Sequence, residues 1–316
     1  MKNPIRIVFM GTPQFAVESL KALIENNQEV VGVVTAPDRP AGRGRALRQS
    51  AVKEYAVSQN LTVLQPTNLK DDSFIEKLKS LNANLFVVVA FRMLPKAVWQ
   101  LPANGTFNLH ASLLPHYRGA APINWALING ETKTGVTTFF IDEQIDTGDL
   151  ILQETINILP TDTAGSLHDK LMQLGSSLVV KTVENIAQNS CETFPQSTVD
   201  TLKTAHKLNP ENTKIDWTDA AENIYNKIRG LSPYPTAWCY LENGDERIKI
   251  KIYRASYERA VHTDTIGRVF TTKKTIKVAT HDGYVFIDEL QLPGKKQMAA
   301  AALLNGFSFA ENAKLG

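Results

Sequence analysis

The chain has 316 residues, 43% of them hydrophobic and 21% charged, ordinary proportions for a folded protein and enough length for two domains with separate cores. Disorder as the default state is excluded, and a formal charge of +2 is too small to announce a nucleic-acid binder, so any polyanion contact must come from local clusters of Lys and Arg. Two cysteines far apart, Cys191 and Cys239, point away from a disulfide framework or a zinc site and toward a reduced cytoplasm.

No stretch reads as a signal segment or a membrane span. Residues 5–10 form an apolar run followed by Gly11-Thr12-Pro13, and then Phe15, Val17, Leu20, Leu23 and Ile24 recur at helical spacing. The pattern predicts strand, tight turn and helix. The turn lacks the second and third glycines of a dinucleotide fingerprint, which argues against an NAD site. Residues 30–35 predict a second strand. The window 37–48 holds two prolines, two glycines and the arginines Arg39, Arg43, Arg45 and Arg48, a cationic loop without a core face. It suits either a solvated surface loop or an arm that contacts phosphates.

A helix over 51–60, a short strand over 62–65, a helix over 71–81 and an apolar strand over 84–91 complete an alternation that predicts a largely parallel α/β sheet with its site at the strand ends. Phe91, Met93 and Leu94 leave this strand and suit the wall of an apolar ring pocket or a cap on the core. A strand over 105–109 delivers Asn108 and His110, two residues apart and therefore on one face. An Asn amide that donates to an oxyanion and a His that takes or gives a proton suit attack by a neutral amine on a carbonyl carbon, with a carboxylate from a later loop completing the set. Ser112, Leu113, Leu114 and Pro115 form a turn, and a helix follows over 122–128.

Residues 135–141 predict another strand, ending at Ile141 and the acidic turn from Asp142 to Asp149. Its spacing is not that of an EF-hand, so no metal site is expected. A strand over 150–159 and a long helix over 164–187 follow, and residues 190–207 lose periodicity and read as a linker. Beyond it come a helix over 220–228 and five short strands, at 236–241, 248–255, 267–271, 275–279 and 285–292, the pattern of a small β-barrel. Lys249, Lys251, Arg254, Lys273, Lys274, Lys295 and Lys296 form either a cationic face or part of a mixed solvated surface.

The run from Phe107 to Leu127, containing H-A-S-L-L-P-H-Y-R-G-A-A-P-I-N-W-A-L, resembles the folate-dependent formyltransferases, and the resemblance extends from Gly11-Thr12-Pro13 through the arginine loop and the Asp146 turn to the region beyond Leu208. It implies a Rossmann-like formyltransferase domain with a mostly parallel sheet over 1–189, a linker over 190–207 and an OB-like tRNA-binding barrel over 208–316. The implied reaction moves the formyl group of 10-formyltetrahydrofolate, without metal or NAD, to the α-amino group of methionyl initiator tRNA, in a cytoplasmic monomer. The alternative is a sibling enzyme acting on a small amine such as an amino sugar nucleotide or glycinamide ribonucleotide.

By the same resemblance Asn108, His110 and Asp146 are the catalytic set. Ser112, Leu113, Leu114, Pro115, Phe91, Met93, Leu94, Ile141 and Asp142 are the candidate folate contacts. Arg39, Arg43 and Arg45 are the candidate tRNA contacts, with Arg43 at the position that reaches the acceptor stem. The segment from Ala90 to Pro95 departs from the family pattern by being one residue shorter.

Overall fold

The computed structural model describes residues 4–41, 46–198 and 201–316. The chain divides into two compact units: Met1–Arg118, Thr134–Ile156 and His168–Lys203 form the first, and Gly119–Lys133, Asn157–Leu167 and Thr204–Gly316 the second. Among the described residues no helix is long and apolar enough to cross a membrane.

The first unit is built on a seven-stranded sheet. Its spatial order is Leu150–Asn157, Lys133–Phe140, Thr106–His110, Leu85–Val89, Arg6–Gly11, Glu29–Val34, Val63–Leu64. From Thr106–His110 to Val63–Leu64 every pairing is parallel, while Lys133–Phe140 runs antiparallel to Thr106–His110, with Phe107 opposite Phe140 and His110 opposite Thr137. The central strand Leu85–Val89 is buried at all five positions, as a Val-rich strand covered on both faces must be. On one side Met10, Val34, Phe74, Leu78, Phe86 and Val88 make a single core cluster, each large side chain worth about 1.5–3 kcal/mol of burial.

The helices follow from their caps and periodicity. Gln14–Glu25 buries Phe15, Val17, Leu20 and Leu23, one face of a 3.6-residue repeat. Asp72–Ser80 starts where the Asp71 carboxylate accepts the amides of Ser73 and Phe74, two of the donors a helix start leaves without partners. The lone glycine of the first turn has a packing reason. A Cβ at Gly11 would lie 2.6 Å from the Cβ of Ala16 and 3.0 Å from the Val89 carbonyl, so the residue allows the first helix to close on the sheet with no phosphate involved.

The window 37–48 is not loop throughout. Arg39–Ala41 and Ala46–Arg48 pair antiparallel, with Arg39 opposite Arg48 and Pro40 opposite Leu47. Leu47 stays 70% exposed, and Arg39, Pro40 and Arg48 are exposed as well, so these side chains show no hydrophobic period that betrays it. Its root is tied down by Asp38, whose carboxylate meets Lys53 Nζ at 2.5 Å and Gln65 Nε2 at 2.7 Å. Lys53, then Gln65, hold that carboxyl below the usual carboxylate range. Arg43 and Arg45 lie outside the described residues.

The second unit carries the β-barrel. Its strands run in the order Val269–Thr271, Ile276–Ala279, Gly283–Gln291, Glu246–Arg259, Ala237–Asn243, Lys314–Leu315, with Met298–Ala299 beside Gly283–Gln291. The five strands expected from sequence are all present. The sheet is drawn toward closure where Arg268 bridges Lys314 and the Val269 amide donates to the Ala313 carbonyl at 3.0 Å. Alternate residues Ala237, Cys239 and Leu241 point inward to Ile250, Ile252, Val278, Val285 and Ile287. The helix Ala221–Leu231 adds Ile224, Ile228 and Leu231 to this core.

Candidate active site

The strand Thr106–His110 ends at the site. Asn108 is half-buried, opposite Phe139 on one neighbour and Val88 on the other. Among the described residues its side-chain amide has no protein hydrogen-bond partner, leaving both its donors for a ligand. His110, two residues on, is 6% exposed. Its Nε2 lies 2.8 Å from the Tyr117 carbonyl. A carbonyl only accepts, so Nε2 carries a hydrogen, and the ring in its neutral form presents the Nδ1 lone pair on its other side.

That other side faces Asp146. Its Oδ2 lies 3.7 Å from His110 Nδ1, within ion-pair range of a protonated ring and beyond a direct hydrogen bond. Asp146 adopts φ 57°, a left-handed conformation that Asp tolerates better than most residues. The turn around it is bound from within. The Asp142 carboxylate accepts the Gln144 amide at 3.0 Å and the Thr147 hydroxyl at 2.7 Å. Asp142 thus spends its side chain on the turn that presents Asp146.

The turn from Ser112 to Pro115 is held by the neighbouring strands. Thr137 Oγ1 donates to the Ser112 carbonyl at 2.6 Å and accepts the Leu114 amide at 3.2 Å. Gln153 Nε2 donates to the Leu114 carbonyl and to Thr137 Oγ1, each at 3.0 Å. The Ser112 hydroxyl donates to the His116 carbonyl at 2.8 Å, so it serves the turn itself. Leu114 and Pro115 are buried and Leu113 is half-buried.

The three candidate ring-wall residues separate. Leu94 is buried in the core cluster and Phe91 packs against it, as does Ile141, whose amide donates to the Thr106 carbonyl at 2.8 Å. Met93 is 67% exposed. Arg92 fixes this segment by donating to the carbonyls of Thr67, at 2.9 Å, and Pro66. Burial, with Arg39 nearby, lowers the Arg92 pKa. Arg39 itself is exposed.

Sequence reasoning missed Tyr117, Thr137 and Gln153. The first acts through its carbonyl, which no side-chain pattern reports. Thr137 is one β-branched residue among several in a strand, and Gln153 a polar residue on an alternating one. Their roles exist only through cross-strand register. Among the described residues no group of three or more His, Cys, Asp or Glu is placed to hold a metal.

A formyl transferase model matches residues 5–183, and a formyl transferase C-terminal domain model matches residues 207–308. A curated methionyl-tRNA formyltransferase of Flavobacterium johnsoniae is 58% identical over 311 residues, 98% of this chain and 99% of the relative. One from Bacteroides fragilis is 49% identical over 319 residues, 99% of this chain and 98% of the relative. Among solved structures, the sugar 3N-formyl transferase WlaRD, crystallised in the presence of dTDP and 5-N-formyl-THF, superposes with a TM-score of 0.67 at 21% identity, covering 93% of this chain and all of that one. At that identity the likeness speaks to fold alone. The two domain models together with near full-length relatives of this identity lead to one conclusion: the chain belongs to the formyl transferase family.

Proposed function

We propose that this protein is a methionyl-tRNA formyltransferase, which moves the formyl group of 10-formyltetrahydrofolate to the α-amino group of methionine esterified to initiator tRNA. The observation that carries the chemistry is His110 held between the Tyr117 carbonyl and the Asp146 carboxylate beside an open Asn108 amide. The substrate is carried by relatives 49–58% identical over nearly the whole chain.

The attacking nitrogen arrives as an ammonium and must lose a proton. The Nδ1 lone pair of neutral His110 suits that task, and the imidazolium formed has Asp146 beside it and the Tyr117 carbonyl behind it. The freed amine attacks the formyl carbon, and the carbonyl oxygen becomes an oxyanion to which the Asn108 amide and His110 Nδ1–H donate. Collapse breaks the bond to folate N10, which leaves with a proton relayed from His110. The balance is an ammonium and a formyl-N10 giving a formamide, N10–H and one proton released to solvent.

The turn from Ser112 to Pro115 is assigned to the folate donor together with Met93, Leu94, Phe91, Ile141 and Asp142, the backbone groups of the turn supplying the polar contacts. The exposed Arg39, with Arg43 and Arg45, is assigned to tRNA phosphates, and the barrel from residue 208 to the nucleic acid as well, after the catalytic segment 1–189 and the linker 190–207. Support for the barrel's role comes from its outer face, where Lys249 Nζ lies 3.7 Å over the Trp238 ring and Arg247 lies 4.0 Å over Tyr240. Aromatic faces clothed with cations suit a polyanion with bases to stack. The enzyme is taken to work in the cytoplasm as a monomer.

The test is formyl transfer from 10-formyltetrahydrofolate, scored by acid gel on methionyl initiator tRNA beside free methionine and an amino sugar nucleotide. Formylation of the charged tRNA alone is expected, with KM for tRNA raised about tenfold by Arg43→Ala, as for a lost phosphate contact. Transfer only to the small amine would replace the substrate assignment, and transfer to none of the three would overturn the catalytic reading.

A further inference from the structure

Residues 190–207 carry no periodicity, but their hydrogen bonds are not those of a passive linker. Phe194 exchanges backbone bonds with Leu150, donating at 3.0 Å and accepting at 2.8 Å. This adds the chain to the sheet edge at the foot of the Asp146 turn. Two residues on, Gln196 uses every polar atom of its side chain. Nε2 donates to the carbonyls of Asp146 and Gly148, both at 2.9 Å. Oε1 accepts from Arg118 Nε at 3.1 Å and Nη2 at 2.6 Å. Further along, the Lys203 carbonyl accepts the Tyr117 amide at 2.5 Å, and the Lys203 amide donates to His116 Nδ1 at 3.4 Å.

The chemistry of these groups leaves one orientation. A guanidinium only donates, so Arg118 fixes the Gln196 amide with its carbonyl toward the guanidinium and its NH₂ toward the turn. The two carbonyls it then serves are that of Asp146 itself and that of Gly148, two residues on. Asp146 sits at φ 57°, a left-handed conformation that still costs a non-glycine residue some energy, which the bonds to its turn offset. Lys203 does for Tyr117 what Gln196 does for Asp146, and Tyr117 is the other partner of His110.

We infer that Phe194, Gln196 and Lys203 strap the two partners of His110 into place, and that Gln196, oriented by Arg118, is the positioning residue that sets the Asp146 carboxylate. The inference rests on the reading of His110 and Asp146 as catalytic. Gln196 meets no reacting atom. Its effect passes through the backbone of the turn.

The test uses the full chain and Gln196→Glu. The glutamate has the same shape and still pairs with Arg118, but it has no N–H for the two carbonyls. The expected result is a kcat lower by about thirtyfold, the scale of a catalytic group displaced by a fraction of an ångström, with KM for either substrate changed less than about threefold. Gln196→Ala is expected to lose a similar factor and to melt as a folded protein. Gln196→Ala and Arg118→Ala combined are expected to lose no more than the worse single variant, because they cut one chain of bonds. Asp146→Asn is measured alongside. If Asp146→Asn is inactive while Gln196→Glu turns over at the parent rate, the strap is overturned and the catalytic reading stands. If Asp146→Asn keeps its turnover, the catalytic reading itself falls. A raised KM with unchanged kcat in Gln196→Glu would make the residue a substrate contact and refute positioning.

Discussion

A single methyl group tests how tightly the Asp146 turn is seated. A Cβ at Gly148 would lie 1.7 Å from the Phe140 carbonyl oxygen and 2.9 Å from its carbon. Phe140 cannot give way. It pairs with Phe107 on the strand that carries His110, and its amide donates to the Asp149 carbonyl at 2.9 Å. The turn must therefore retreat by about 1 Å or more to reach even a tight contact, which pulls the Gly148 carbonyl from Gln196 and moves Asp146, two residues earlier, away from His110. Displacement on that scale costs about a hundredfold in turnover, or about 2.7 kcal/mol of transition-state stabilisation. Overpacking costs about 1–3 kcal/mol of stability as well.

The assay is the initial rate of methionyl-tRNA formylation at saturating 10-formyltetrahydrofolate and tRNA, with a thermal melt of the same sample. Gly306→Ala is the matched control, since a Cβ there meets nothing within 4 Å, and it is expected to match the parent in both measurements. A Gly148→Ala enzyme with parental kcat and melting temperature would refute the argument. The turn would then either lie free of Phe140 or have no part in placing a catalytic carboxylate.

Other outcomes follow from the same contacts. Thr137→Val keeps the shape of the side chain but leaves the Ser112 carbonyl and the Leu114 amide without their partner. Its KM for the formyl donor is expected to rise about three- to tenfold and stability to fall by about 1–2 kcal/mol, read by steady-state kinetics and denaturant titration. Asp282 accepts the Ala221 amide at 2.8 Å, at the start of the helix Ala221–Leu231. Burial pushes its carboxyl pKa up, but the Ala221 amide, His281 and the Thr280 hydroxyl outweigh burial and bring it below the ordinary value. A depressed native pKa stabilises above the unfolded value near pH 4 and stops doing so as pH falls through the native one. Asp282→Asn should therefore cost roughly 0.5 kcal/mol at pH 7 after allowance for solvent screening, with the difference closing as pH falls through the depressed native pKa, as measured by urea unfolding at a series of pH values.

Much of the architecture is legible along the chain because it is written in local patterns. Leu85–Val89 announces a strand buried on both faces, and alternate inward residues such as Ala237, Cys239 and Leu241 mark the barrel strands. Asn108 and His110 reach one face of a strand end by spacing alone. Asp146 came from family resemblance, because an acidic turn says nothing about which carboxylate faces which strand. The structure supplies that relation, at 3.7 Å from His110 Nδ1.

What tertiary structure decided is whatever depends on backbone atoms meeting across long separations. In the pairing of Arg39–Ala41 with Ala46–Arg48, Arg39, Pro40, Leu47 and Arg48 are all exposed, so their side chains carry no buried pattern that could reveal it. The strand Lys133–Phe140 has the same Thr-, Val- and Phe-rich sequence whether it pairs parallel or antiparallel, and only the folded sheet sets its direction. Leu94 and Met93 are equally apolar in sequence, yet Leu94 enters the core and Met93 faces solvent. The Tyr117 carbonyl and the Gln196 amide meet the site through hydrogen bonds that no residue pattern encodes.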